Sequence, residues 1–374
     1  MQMMSKEELS AELEFPYSST PEPGAVIEVA PGVKWLRMPL PMSLNHINLY
    51  LIKDGLGWVV VDTGIRGEET SNLWHKIFDH ALEGLPVTKV ICTHLHPDHT
   101  GQAGFLCHHW NVPLLMSYSE YYQATFINTM MRERSGITSP DYLLKLGFTT
   151  DFLNNLESGT SSFQPTEDDI PFPKSFDRLV DGQKILFDHV EWSVITGNGH
   201  SPEHVCLYCP SLRLLISGDQ ILPIITSNVS VYPTEPEANP MKGWLYSHEK
   251  FIKKIPDDVL VLPAHNLPFY GLHKRLEQLI EHHEDRMLVL EENCVDAKVA
   301  TDLLPLLFSR KLEGFTKIMA VGECVAHLHC LMDRKRIQRS LKGGIYYYQS
   351  ISPDLSDRAN PDHHEEPEEY PLLT

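Results

Sequence analysis

The ten residues Thr93 to Gln102, THLHPDHTGQ, follow the short apolar run KVIC and place His94, His96, Asp98 and His99 within six positions. The β-branched VTKVIC ahead of them reads as a strand buried on both faces, so the cluster sits where strand gives way to loop. Rigid scaffolds present functional side chains at such places. Imidazole nitrogens suit zinc, iron and similar ions, and carboxylate oxygens can bridge two of them. His94 and His96 are separated by one residue and can turn the same way, with Asp98 and His99 displaced toward a second ion. Three distant residues have the same setting: His200 in GNGHSPEHV, Asp219 in LLISGDQIL and His265 in VLVLPAHNLP each follow a strand-like apolar run.

The rest of the chain fits a globular enzyme better than a nucleic-acid coat. Its 374 residues carry a net charge of −19, which counts against a polyanion as a partner for the whole surface. The N-terminus lacks a basic segment followed by an apolar one, and no apolar run reaches the roughly 20 residues of a membrane span, so a cytoplasmic protein without membrane contact is expected. Seven cysteines at irregular spacing point to reduced thiols. Cys206 and Cys209 form a C-x-x-C, but on a strand residues three apart face opposite sides, so two buried cysteines are expected there.

Turn residues and periodicity divide the chain. Residues 1–24 read as a flexible arm. Strands are expected in VIEVAPGVKWLRM, INLYLI and GWVVVDTG, with a hairpin turn at KDGLG, then a helix over 68–82. A helical, aromatic- and Met-rich insertion spans about 117–175. Strands resume in KILFDHVEWSVIT, HVCLYCP, RLLISGD and DDVLVLPAH. An amphipathic helix starts at Leu272 and helical segments run to about Gln338. The residues from 25 to 290 form one catalytic domain, 291–348 a helical, winged-helix-like segment ending in the strand GGIYYYQS, and 349–374 an acidic tail.

THLHPDHTG, GHSPEH, SGD and PAH resemble, in order, the metal-binding motifs of the metallo-β-lactamase fold superfamily, and VVVDTG resembles its early aspartate motif. The likeness covers about residues 26–290 and points to the glyoxalase II-like or lactamase-beta-like members with a C-terminal helical appendage. It implies an α/β fold, the αβ/βα sandwich, with a dinuclear metal site along one edge. It further implies that His94, His96 and His200 hold one metal, Asp98, His99 and His265 the other, and that Asp219 bridges them, with Asp62 supporting the histidine loop. Two divalent ions are implied, zinc foremost, with iron or manganese as alternatives. Ala264 stands where many relatives have glycine, and H-x-H-x-D-H replaces the H-x-E-x-D-H of the oxygen-reducing di-iron relatives, which favours hydrolysis.

The chemistry implied is attack by a metal-bridging hydroxide on a small ester, thioester or lactone, with Asp98 or metal-bound water handling the proton and Asp219 holding the metals. His46, Asn228, Tyr232 and Tyr270 are candidate substrate contacts, and the 117–175 insertion a candidate lid or homodimer face. The competing reading is cleavage of single-stranded RNA or another phosphodiester, with Arg334, Lys335, Arg336, Arg339 and Lys342 on phosphates; solvated or dipole-facing cations are the plainer account of these residues. A non-catalytic module on the same fold would be marked by lost ligands, and all seven are present. Outside the motifs, His204, His282, His283, His363 and His364 read as packing or solvated residues. On one helix His327 and His329 stand roughly 200° apart and cannot share an ion.

Overall fold

A computed structural model describes residues 11–42, 44–133, 139–157 and 170–351. The acidic tail from 352, the first ten residues, and parts of the 117–175 insertion lie outside them. Two compact units form: residues 1–134, 163–227 and 251–276 in the first, 135–162, 228–250 and 277–374 in the second.

In the first unit, β1 (Ile27–Ala30), β2 (Val33–Pro39), β3 (His46–Asp54), β4 (Gly57–Val61), β5 (Val87–Ile91), β6 (Leu114–Met116) and β7 (Asp177–Arg178) build one sheet in sequence order. A second sheet has the order β12-β11-β10-β9-β8, made of β8 (Lys184–Phe187), β9 (Val190–Gly197), β10 (His204–Cys209), β11 (Leu214–Gly218) and β12 (Leu260–Pro263). The period-two rule sorts each strand of the first sheet between two cores. On β3 and β4, Tyr50, Ile52, Val59 and Val61 join Trp192, Val194, Leu207, Ile216 and Leu262 in the core between the sheets. Their neighbours Leu49, Leu51, Trp58 and Val60 face the helices α1 (Glu68–His80), α3 (Ala103–Trp110) and α4 (Tyr118–Glu133), and the one-turn α2 (Pro97–Thr100) lies between β5 and α3 in the chain. Burial on both faces explains why these strands read as unbroken apolar runs. Trp74 of α1 is fully buried and its indole N–H donates to the Thr63 carbonyl at 2.8 Å, fixing the helix beneath the loop after β4.

The second unit holds α5 (Pro140–Lys145), α6 (Thr150–Glu157), α9 (Ala300–Leu307), α10 (Gly314–Asp333) and most of α7 (Pro240–Lys254) and α8 (Leu272–Asn293). The hairpin β13 (Ile337–Lys342) and β14 (Ile345–Ser350) completes it. Its own core gathers Tyr142, Leu143, Trp244, Met287, Leu290, Leu303, Val321, Val325 and Tyr348.

Three expectations change. The arm is packed from residue 13: Leu13 is buried, Glu14 pairs with Tyr270, and Tyr17 lies edge-on to Trp35, because its few apolar side chains find partners in the first unit. Helix α10 stops at Asp333 rather than near Gln338, and Lys335 takes a φ of +57° in the turn to the hairpin. The insertion is divided, with α4 in the first unit and α5 and α6 in the second. Cys206 and Cys209 are both buried and unbridged, as expected of strand cysteines.

Candidate metal centre

Parallel strands β4 and β5 end together, as do β11 and β12. Ligands gather outside the carboxyl ends of such strands, where the diverging loops leave a crevice. Asp62 follows β4 with a φ of +60°, a left-handed conformation uncommon for a non-glycine residue. The strain is offset by what its carboxylate collects: the Thr93 N–H at 2.7 Å, the Thr93 hydroxyl, and the His99 Nδ1–H at 2.8 Å. Gly218, at the end of β11, has a φ of +51°, and a Cβ there would meet the His204 ring at 2.6 Å. Only glycine lets the chain turn tightly enough to deliver Asp219.

All seven candidate ligands converge. Among the described residues, two groups can hold an ion: His94, His96, His200 and Asp219, and then Asp98, His99 and His265, the donor atoms of each lying within 4.8 Å of one another. His94 Nε2 is 2.8 Å from His96 Nδ1 and 3.2 Å from His200 Nε2. Asp219 faces both groups, with Oδ2 at 3.4 Å from His200 Nε2 and Oδ1 at 3.2 Å from His265 Nε2 and 3.5 Å from His99 Nε2. Asp98 Oδ2 lies 3.6 Å from His265 Nε2 and 3.7 Å from His99 Nε2.

The surrounding hydrogen bonds aim these donors. His99 gives its Nδ1–H to Asp62, and His265 gives its own to the His46 carbonyl at 2.8 Å, so each turns Nε2 toward the centre. His94 Nδ1 lies 3.1 Å from the Thr93 hydroxyl. Burial, reinforced by neighbouring imidazoles, pushes His94 and His96 well below the usual histidine range, so their lone pairs are available at neutral pH. Burial opposes charge on Asp219 too, but the neighbouring His265 and His99 hold it well below the usual carboxylate range. His99 Nε2 and Asp219 Oδ1 are buried and have no hydrogen-bond partner. Nitrogen donors crowded together and orphaned, inward-facing polar atoms are what a pair of cations would satisfy, so the residues fit a dinuclear centre.

Two residues of the centre escaped sequence reasoning. His204 lies behind His94, their rings stacked with centroids 4.7 Å apart, and its Nε2 accepts the Asp219 N–H at 3.0 Å. Glu120, fully buried on α4, accepts the Leu95 N–H at 2.9 Å, the Ser201 hydroxyl at 2.6 Å and the Glu203 N–H at 2.8 Å. Burial pushes its carboxyl up to about 7, while those hydrogen bonds favour the ionised form. The position of His204 in SPEH beside His200 was a usable signal; nothing in SYSEYYQ marks Glu120.

The proposed substrate contacts fare differently. His46 accepts the Asn266 N–H at Nε2 and lies 2.9 Å from Asn45 Oδ1 at Nδ1, so both ring nitrogens are engaged and its visible task is to hold the loop that orients His265. Tyr270 pairs through its backbone with Glu14 in the first unit. Asn228 and Tyr232 belong to the second unit, where Asn228 donates to Glu323 at 3.3 Å and accepts from Ser230 at 2.7 Å. A cavity of 740 Å³ borders His46, lined also by Arg37, Asn45, Glu69, Asn72 and Lys76. None of the seven candidate ligands lines it.

In the second unit, three of the five candidate phosphate contacts are already paired. Arg334 grips Glu284 at 2.7 and 2.8 Å, Arg336 grips Glu291 at 2.9 Å twice, and Arg339 grips Glu237 at 2.7 and 2.9 Å. His327 and His329 turn to different partners, the carbonyls of Glu323 and Ala238.

Residues 43–265 match the metallo-beta-lactamase superfamily, and residues 288–351 match the metallo-beta-lactamase-like C-terminal domain. The crystal structure of a beta-lactamase domain protein from Burkholderia ambifaria is 37% identical, with a TM-score of 0.83 over 91% of this chain and 99% of that one. A metallo-beta-lactamase family protein from Thermus thermophilus shares the fold at 23% identity, with a TM-score of 0.69 over 86% of this chain and 100% of that one. The probable metallo-hydrolase YqjP of Bacillus subtilis (strain 168) is 22% identical over 335 residues, 84% of this chain and 97% of that protein. With its sandwich fold and converging histidines and aspartates, the chain belongs to the metallo-beta-lactamase superfamily.

Proposed function

We propose that this metal-dependent hydrolase cleaves a small ester, thioester or lactone at a two-metal centre. The observation that carries the reading is Asp219, whose two oxygens face two separate donor sets. When bound, the metals supply Lewis acidity toward a carbonyl oxygen and lower the pKa of water enough for attack at neutral pH. His94, His96 and His200 would hold one ion, Asp98, His99 and His265 the other, and Asp219 would join them. Zinc suits the nitrogen-rich donors, and iron or manganese would fit them as well.

The protein's own groups divide the remaining work. Asp62 and the His46 carbonyl keep His99 and His265 in the tautomer that offers Nε2. Asp98 retains a 19% exposed side chain, so a carboxylate oxygen there would take a proton and return it to the leaving oxygen or sulfur. No side-chain nucleophile is required, and the Ser201 hydroxyl is already donated to Glu120. The pairing of Arg334, Arg336 and Arg339 leaves few cations of that patch for a phosphate backbone.

Metal content measured on the purified protein, beside a panel of p-nitrophenyl esters, acyl-thioesters, lactones, phosphodiesters and a labelled single-stranded RNA, tests the reading. About two metals per chain are expected, with turnover of an ester, thioester or lactone that is lost in His96→Ala. Turnover confined to RNA or phosphodiesters would overturn the substrate class, and a chain without metal or turnover would overturn the site.

A further inference from the structure

The first turn of α4 carries Glu120 into the gap between two ligand loops of the first unit. Its Oε2 takes the N–H of Leu95, the residue between His94 and His96. Its Oε1 takes both the hydroxyl of Ser201 and the N–H of Glu203, on the loop that carries His200. Those loops follow β5 and β9, strands of different sheets; one backbone bond, from the Val205 N–H to the Thr93 carbonyl at 2.8 Å, ties their bases, and Glu120 ties them nearer the ligands. The helix is itself seated on the second loop. The Ser117 hydroxyl donates to the Glu203 carbonyl at 2.7 Å, and the Ser119 N–H donates to the Glu203 carboxylate at 3.1 Å. Stacking of Tyr121 on Phe176, with ring centroids 3.9 Å apart, holds the helix from the other side.

A fully buried carboxylate is costly unless its acceptor capacity is filled, and here three donors from two loops fill it. We propose that Glu120 is a positioning residue, a brace that holds the His94–His96 loop and the His200 loop at the spacing where their three imidazoles share one ion. The inference rests on the two-metal reading and adds an asymmetry to it. Asp98 and His99 lie in the first braced loop but their partner His265 lies in neither, and His99 and His265 are aimed by Asp62 and His46, so the brace joins no two loops of the second metal position.

Glu120→Gln keeps size and shape but replaces one acceptor oxygen by an NH2 donor. Either Leu95 or the Ser201–Glu203 pair then faces a donor, and one loop is released. Metal-free full-length protein would be titrated with cobalt(II) against a chromophoric chelator, reading two stepwise affinities and the visible spectrum of the ion. One affinity is expected to weaken about 10–100-fold in Glu120→Gln, with a changed cobalt spectrum, while the other holds. Two unchanged affinities, or equal weakening of both, would overturn the brace. Should Glu120→Gln fail to fold, Ser201→Ala removes one of the three bonds and leaves the carboxylate; a smaller but equally one-sided loss is expected, and no loss or an even one overturns the proposal. A parent chain that takes up no metal would be a different result, overturning the two-metal reading beneath it.

Discussion

Asp219→Ala is expected to keep the fold, lose most of its bound metal, and lose at least about a thousandfold in turnover, roughly 4 kcal/mol of barrier. The carboxylate faces both donor sets, so its loss removes a ligand from each position at once. The backbone around it is held independently. Its N–H goes to His204 and its carbonyl accepts the Ser227 hydroxyl, so truncation at Cβ leaves the loop anchored. Without Asp219, the buried His99 and His265 lose a charge that favours protonation and can turn neutral rather than unfold the site. Elemental analysis and steady-state kinetics on parent and variant check this. A variant with the parent's metal content and rate would remove Asp219 from the centre.

Acid is expected to weaken the second unit through a pair of histidines remote in sequence. His283 of α8 and His327 of α10 are fully buried, with His283 Nδ1 3.0 Å from His327 Nε2 and His327 Nδ1 2.7 Å from the Glu323 carbonyl. The bond to that carbonyl fixes a proton on His327 Nδ1, so His283 is the donor to Nε2, and both rings are neutral. Burial, reinforced for His283 by His327, His282, His248 and Arg286, pushes His283 well below its ordinary value. Burial likewise brings His327 down to about 4, with Arg286 acting in the same sense and the Glu323 carbonyl and Glu284 against it. Because the folded values lie below the unfolded one, the unfolded chain binds more protons in acid. Stability is therefore full above about pH 6.5 and falls as pH drops toward 4, by roughly 3 kcal/mol from His327 alone. Denaturant unfolding at pH 7 and 4.5 of the parent and of a His283→Leu/His327→Leu double variant checks this. The double variant is expected to show the shallower pH dependence, and equal slopes would refute the account.

What could be read from the chain alone followed from how local each signal is. THLHPDHTG carries four ligands in one loop, and VVVDTG, SGD and PAH sit directly after strands whose apolar runs announce themselves, so the centre was legible before any fold was known. Glu120 was not, because its meaning lies in two loops that come close only once the sheets have packed. The partners of the charged patch at 334–342 were hidden for the same reason. Arg334, Arg336 and Arg339 look like free cations until Glu284, Glu291 and Glu237 are brought beside them. Leu13 and Phe15 were too few to show periodicity, yet Leu13 is buried and the Phe15 ring lies 6.4 Å from that of Phe269.

The donors come from both layers of the sandwich: His94, His96, Asp98 and His99 follow β5, whereas His200, Asp219 and His265 follow β9, β11 and β12. Bound ions would thus act as removable rivets between two sheets that otherwise meet mainly through apolar packing and loops. Chelation should then lower the melting temperature of the first unit and quicken amide exchange along both sheet edges together. The same linkage runs backward. A cavity cut deep between the sheets, far from any ligand, would reappear as weaker metal binding, so metal affinity becomes a gauge of how well the two layers are registered.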